Sequence, residues 1–343
     1  MKVGLIYDPV YLEHDTGNHV ENSQRLVATI SYLERTGIRD KLHQIAPRSA
    51  TVEELETIHA RDYISYIRRK AEEGGGWLDP DTVICPRSYE VALYAAGGVL
   101  TGVEKVMTGE LTSAFALVRP PGHHAVHNRA MGFCLFNNVA IAAKYALHRF
   151  KLSRVLIADF DVHHGNGTQD AFYTDPRVLY FSTHQYPHYP GTGAMDEVGS
   201  GEGEGTTVNF PMPAGCGDEE YLRAFEEVLA PVSQRFQPQL ILVSAGFDPH
   251  WSDQLAMMQV TVSGFAQMTM TLKKLAEQLC GGRLVFTLEG GYNLRAVACA
   301  IKAVFDVLLG NQEIDDPLGK PPRTWRPEGF EKRIQTIKKI HGL

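Results

Sequence analysis

The stretch Asp159-Phe160-Asp161-Val162-His163-His164-Gly165 follows directly on the apolar run Val155-Leu156-Ile157-Ala158. That run reads as a buried strand, so the polar cluster falls at the strand's C-terminal end, the edge of an open α/β sheet where ligands and metals bind. Alternation of period two lets Asp161 and His163 point to one side while Phe160 and Val162 point into packing. One carboxylate and one imidazole make two-thirds of a catalytic metal site. Asp248, in Gly246-Phe247-Asp248, completes an O,N,O set that leaves coordination open for water and substrate. This is the catalytic pattern for zinc, and Fe(II) or Co(II) would also suit it. A metal held there can polarise a carbonyl and bring the pKa of a bound water toward about 7.

Other polar clusters follow apolar runs in the same way. Arg119-Pro120-Pro121-Gly122-His123-His124 follows residues 114–118, Ser182-Thr183-His184 follows 178–181, and Glu289-Gly290-Gly291-Tyr292 follows 284–288. One such cluster could be a satisfied loop; several on one sheet edge make a site. Beside a metal, His123 and His124 become candidates for general base and acid. A carboxylate partner raises a histidine's basicity and a neutral amide leaves it lower. Asp159 is an orienting carboxylate for one imidazole and Asn166 an available amide for the other, which would push the two pKa values apart. Tyr292 reads either as core or as a phenol donating to a developing oxyanion, with Gly290 and Gly291 permitting a tight turn beside the site. Phe133 and Tyr189 are open between plain core and the walls of a narrow apolar channel.

These groups need a scaffold. The apolar runs at 3–7, 114–118, 155–158, 178–181, 240–244 and 284–288 are nearly continuous, which predicts strands covered on both faces. Helical patterns at 22–35, 88–108, 138–149, 219–236, 264–279 and 293–309 lie between most of them. The alternation predicts an α/β fold, a parallel sheet with helices on both sides. No linker or internal repeat divides the 343 residues. One domain is expected over residues 1–310, with the proline-bearing stretch 311–343 packed on it or trailing from it.

Lys and Arg number 33 against 40 Asp and Glu, a net charge of −7 with no basic block, which disfavours a nucleic-acid partner. Acidic residues cluster at 196–204 and 79–81, as solvated loops or as a surface for a cationic partner. Cys85, Cys134, Cys216, Cys280 and Cys299 are scattered and odd in number, without a C-x-x-C pair, so neither a disulfide framework nor a zinc ribbon is expected. The opening strand-like segment is too short for a secretory signal, and no apolar run reaches the ~18 residues of a membrane span. A cytoplasmic enzyme without a membrane partner is expected; its oligomeric state is left open.

Taken together, the motifs resemble the zinc-dependent histone deacetylase family, which includes acetylpolyamine amidohydrolases and related bacterial deacetylases. The resemblance rests on Arg119-Pro120-Pro121-Gly122-His123-His124-Ala125, Gly132-Phe133-Cys134-Leu135-Phe136-Asn137-Asn138 and Asp159-Phe160-Asp161-Val162-His163-His164-Gly165-Asn166-Gly167-Thr168. Pro190-Gly191-Thr192-Gly193, Ser244-Ala245-Gly246-Phe247-Asp248 and Leu288-Glu289-Gly290-Gly291-Tyr292-Asn293 add to it, in family order across residues 1–310.

The resemblance implies an arginase/deacetylase-like three-layer α/β/α fold around a mainly parallel eight-stranded sheet. It implies one catalytic Zn²⁺ on Asp161, His163 and Asp248. His124 would be general base and acid, with Asn166 beside it, and His123 an electrostatic partner held by Asp159. Tyr292 would polarise the amide carbonyl, while Gly132, Phe133, Tyr189 and Leu255 would line the acyl channel. Arg25 would lie near an internal acetate cavity, and a structural K⁺ near Asp159, Asp161, His163 and Ser182. Asn166 where class I members carry aspartate, and Glu289 where they carry glycine, resemble the class II-like branch. Leu255, where polyamine-selective members carry glutamate, points toward acyl-lysine in a peptide or protein. An acetylated small amine is the alternative substrate. A non-catalytic acyl binder would not need the intact constellation, and an arginase-type two-metal site would need further aspartates.

Overall fold

The computed structural model describes residues 2–311 and 313–343. Eight strands form the main sheet: β1 Val3–Ile6, β2 His43–Ile45, β3 Ser113–Ala116, β4 Val155–Asp159, β5 Val178–Gln185, β6 Thr207–Met212, β7 Leu240–Ala245 and β8 Leu284–Leu288. Their order is β2-β1-β3-β8-β7-β4-β5-β6, and every neighbouring pair is parallel. The chain leaves β3, skips two places to β4, and later fills the gap with β7 and β8. The C-terminal ends of β3, β8, β7 and β4 therefore stand side by side where the order reverses, the crevice in which open α/β sheets bind ligands.

The six strands expected from apolar runs are present, and all residues of each are buried. The two that were not expected are the edges. β2 is three residues long, His-Gln-Ile, with two of them exposed. β6 carries Pro211, which lacks a ladder donor and is tolerated because this strand pairs on one side only.

Helices α1 Gln24–Arg35, α2 Ser88–Met107, α3 Asn138–Arg149, α4 Val262–Cys280 and α5 Leu294–Leu309 match the expected patterns to within two residues at each end. Asn137, Thr261 and Asn293 cap the last three, each accepting from a backbone N–H three residues on. The 219–236 pattern is helical but interrupted: Phe225–Leu229 is a π segment between Asp218–Ala224 and Ala230–Phe236. Pro231 lies just beyond it and lacks the N–H a regular α turn would use. Beyond α5 the chain returns to the sheet as helix α6, Phe330–His341. Phe330 stacks on Phe210 of β6 at 5.6 Å, so the tail covers an otherwise open edge. No helix among the described residues is long and apolar enough to cross a membrane.

Candidate active site and metal centre

The loops leaving β4 and β7 bring Asp161, His163 and Asp248 together, with one ligand atom of each within 4.8 Å of the others. All three are buried. Phe160 and Val162, which alternate with the ligands, are fully buried in the hydrophobic core and lock the loop. Asp161 Oδ1 and Asp248 Oδ2 lie 3.1 and 3.2 Å from the same atom, His163 Nδ1. Asp248 Oδ2 has no hydrogen-bond partner.

Burial and the charge of Asp161 push the Asp248 carboxyl up to about 6, the cost of converging two anions in a dry site. A divalent cation fits this arrangement. It would meet an O,N,O donor set with an orphaned carboxylate oxygen, and it would relieve the repulsion between the two acids. The space is kept clear by glycines: a Cβ on Gly246 or Gly290 would collide with the Asp161 and Asp248 carboxylates. Among the described residues this is the one group of three or more His, Cys, Asp or Glu donors so placed.

His123 and His124 sit beside the triad with ring centroids 4.0 Å apart. His123 Nδ1 lies 3.0 Å from Asp159 Oδ2, and His124 Nδ1 lies 2.8 Å from Asn166 Oδ1, the division expected from the sequence. Burial opposes the charged form of both rings. For His123 the carboxylates of Asp159 and Asp161 outweigh burial and hold the imidazole up at about 10. For His124 burial wins: the neighbouring imidazoles add to it, the Asn166 amide compensates little, and its pKa falls well below the ordinary value. One histidine is thus cationic and its neighbour neutral near pH 7.

A cavity of about 240 Å³ opens onto these groups, lined by Gly132, Phe133, Tyr189 and Leu255 together with His123, His124, His163 and Tyr292. Tyr292 meets Phe133 edge to face at 5.8 Å, and Tyr189 meets His124 at 5.2 Å. Phe133 adopts a positive φ of 69°, rare for a bulky residue, and its N–H donates to Thr82 Oγ1 at 3.1 Å. Burial and nearby Asp248 keep the Tyr292 phenol protonated, its pKa well above the ordinary value.

Arg25 does not line this cavity. It is fully buried, donates to the carbonyls of Gly291 (2.7 Å) and Glu289 (2.5 Å), and lies over the Tyr292 ring at 5.1 Å. It therefore braces the Tyr292 turn. Of the four residues expected around K⁺, Asp159 and Ser182 are opposite one another in register, and Asp161 and His163 follow on the adjoining loop. Asp159 Oδ2 also lies against His123 and Tyr180, and Ser182 Oγ against His184.

Three buried carboxylates were not singled out from the sequence as parts of the site. Glu289 Oε2 accepts from the N–H groups of Gly122 and His123 (2.7 and 3.2 Å), joining the histidine loop to the tyrosine turn. Glu21 accepts twice from Arg119 (2.6 and 2.9 Å) and once from Arg25 (3.1 Å). Asp253 bonds the backbone of Tyr292. Glu289 lies in a motif quoted above and Glu21 stands four residues before Arg25, but nothing in the sequence says that Glu289 and Asp253 face backbone N–H groups or that Glu21 faces Arg119. His188, stacked on His163 at 5.1 Å, and Asp81 also line the cavity.

Comparison with known proteins accords with this geometry. A histone deacetylase domain model matches residues 19–308. Histone deacetylase 10, chloroplastic, of Oryza sativa subsp. japonica is 41% identical, the alignment covering 96% of this chain and 79% of that protein. A probable deacetylase of Archaeoglobus fulgidus is 38% identical over 100% of this chain and 98% of its own length. The crystal structure of the HDA15 HD domain superposes with a TM-score of 0.91 at 36% identity, covering 99% of this chain and 96% of that one. The shared fold is that of the arginases and deacetylases, and zinc dependence is general to the family. Near-complete coverage from both sides, on a sheet edge built for a metal-assisted hydrolysis, places this chain in the histone deacetylase family as a hydrolytic deacetylase.

Proposed function

We propose that this protein removes acetyl or another short acyl group from the ε-amine of lysine in peptides or proteins. The observation that carries this reading is the channel. At about 240 Å³ it is smaller than the ~300–1,000 Å³ of drug-sized pockets. Its aromatic and aliphatic walls, Phe133, Tyr189 and Leu255, suit a slender alkyl chain that delivers an amide to the polar groups.

Zn²⁺ held by Asp161, His163 and Asp248 would polarise the acyl carbonyl and make a water acidic enough to attack. His124, neutral near pH 7, takes the proton from the attacking water and then delivers it to the departing amine. The Tyr292 phenol donates a hydrogen bond to the carbonyl oxygen as negative charge develops there. His123, held cationic by Asp159, adds a positive charge beside the reacting atoms. Residues 1–310 carry this chemistry, and a structural K⁺ around Asp159, Asp161, His163 and Ser182 belongs to the same reading.

A second reading, deacetylation of an acetylated small amine, is favoured by Asp81, a carboxylate lining the channel that would attract another ammonium group. Leu255 opposes it, being apolar where such a substrate's charge would pass. The test is kcat/KM of the zinc-loaded protein on an acetyl-lysine peptide and on acetylspermidine, side by side. Peptide preference supports the first reading, and Leu255→Glu should then narrow the gap. Polyamine preference transfers the conclusion to the second, and inactivity on both with zinc bound refutes both substrate classes.

A further inference from the structure

We infer that Asp253 is the positioning residue for Tyr292, and that it ties the placement of that phenol to the channel rim at Leu255. The inference rests on the reading of Tyr292 as hydrogen-bond donor to the acyl carbonyl.

The turn 289–293 lies between the end of β8 and the start of α5, so strand and helix satisfy few of its N–H and carbonyl groups. Buried, it must find other partners for them. The carbonyls of Glu289 and Gly291 go to Arg25, and the Gly290 N–H goes to Asp161 Oδ2 at 2.7 Å. The N–H groups of Tyr292 and Asn293 both go to one atom, Asp253 Oδ2, at 2.6 and 3.0 Å. Asp253 Oδ1 accepts from the Leu255 N–H at 3.0 Å. A single carboxylate, 8% exposed, thus holds the backbone from which the phenol hangs and, two residues on, a side chain that lines the channel. An anion suits the task, because charge-assisted bonds to convergent N–H groups are roughly twice as strong as neutral ones.

The segment that carries Asp253 is itself anchored on its far side. The Met257 N–H donates to Gln185 Oε1 at 2.8 Å. The Gln259 side chain exchanges two hydrogen bonds with the backbone of Trp325 (2.8 and 3.2 Å), beyond the 19–308 span of the family model. Leu255 O lies 2.9 Å from His188 Nε2, another residue of the channel lining. Asp253 therefore pulls the tyrosine turn against a braced support.

The test is a double-mutant cycle on the zinc-loaded enzyme. Loss of a buried, charged acceptor predicts that Asp253→Ala lowers kcat roughly 10- to 100-fold, with KM and zinc content little changed. Asp253→Asn should recover part of that loss, because its amide oxygen can still accept from both Tyr292 and Asn293 while its amide nitrogen cannot accept from the Leu255 N–H. In a Tyr292→Phe background Asp253→Ala should cost little more, since the hydroxyl it positions is gone. Hydrogen exchange should quicken in the 289–295 peptide of Asp253→Ala and not in β3. Wild-type kcat in Asp253→Ala, or a loss of undiminished size in the Tyr292→Phe background, overturns the inference while leaving Tyr292's role intact. Wild-type activity in Tyr292→Phe itself refutes the role of the phenol, and the inference falls with it. Should Asp253→Ala fail to fold, Asp253→Ser, which retains one acceptor, runs the same cycle.

Discussion

Replacing Asn166 by aspartate should move the acid limb of the pH–rate profile upward, and the size of the move follows from the geometry. His124 Nδ1 lies 2.8 Å from Asn166 Oδ1, and both residues are buried. In the wild type, burial and two neighbouring imidazoles hold His124 well below the ordinary histidine value, so it is an unprotonated base throughout the neutral range. Asn166→Asp sets a negative charge against that ring without changing the side chain's shape. With charge centres about 4 Å apart and an effective dielectric constant of about 20, the attraction is about 4 kcal/mol. That corresponds to roughly three pKa units, reduced by the cost of burying a new carboxylate. A rise of about one to three units is expected, the range for a cation beside a carboxylate.

The sign is fixed by the role. A general base must be neutral to accept a proton, so the acid limb of kcat/KM marks its pKa in the free enzyme. The limb should therefore shift to higher pH by the same amount, with the plateau at alkaline pH largely kept. The charge of the bound metal is common to both enzymes and cancels from the difference. The assay is kcat/KM on an acyl-lysine peptide from about pH 5 to 10, with zinc content checked at each end. An unmoved limb, or one moved to lower pH, would show that His124 is not the titrating base.

Two further outcomes follow from the same structure. Asp248→Asn removes one of the two anions that meet at His163 Nδ1, so the purified variant should lose zinc by elemental analysis. Its Tm should also stop responding to added zinc, whereas the wild type should gain about 2.7 kcal/mol at a hundredfold excess over Kd. Retention of stoichiometric zinc would remove Asp248 from the ligand set. Glu21→Gln leaves the buried guanidinium groups of Arg119 and Arg25 without their counter-charge, which should cost about 3–5 kcal/mol in urea unfolding. A loss under about 1 kcal/mol would contradict it. Burial opposes ionisation of Glu21, but the two arginines outweigh it and hold the carboxyl down to about 2. Its folded-state pKa is thus depressed: the stability it contributes is present above the unfolded value near 4.5 and is lost as pH falls from there toward 2.

Much of this protein was legible before folding. Continuous apolar runs named the six inner strands, because a strand covered on both faces has no polar side to show. The clusters at their ends named Asp161, His163, Asp248, His123 and His124 as candidates, because parallel strands deliver such residues to one edge, and the structure brings them together. Chemistry gave Asp159 to one histidine and Asn166 to the other, the family resemblance said which, and the structure pairs them so. The edge strands were silent: β2 is short and polar, and β6 contains a proline that only an edge accepts.

What the tertiary structure alone decided is who holds whom. The Gly290 N–H finds Asp161 across 129 residues, Glu289 finds the histidine loop across 167, and Glu21 finds Arg119 across 98. Sequence patterns report local periodicity and the chemistry of each side chain. These contacts depend instead on the strand order β3-β8-β7-β4, which is set by how the whole core packs and leaves no mark on the spacing of the residues it joins.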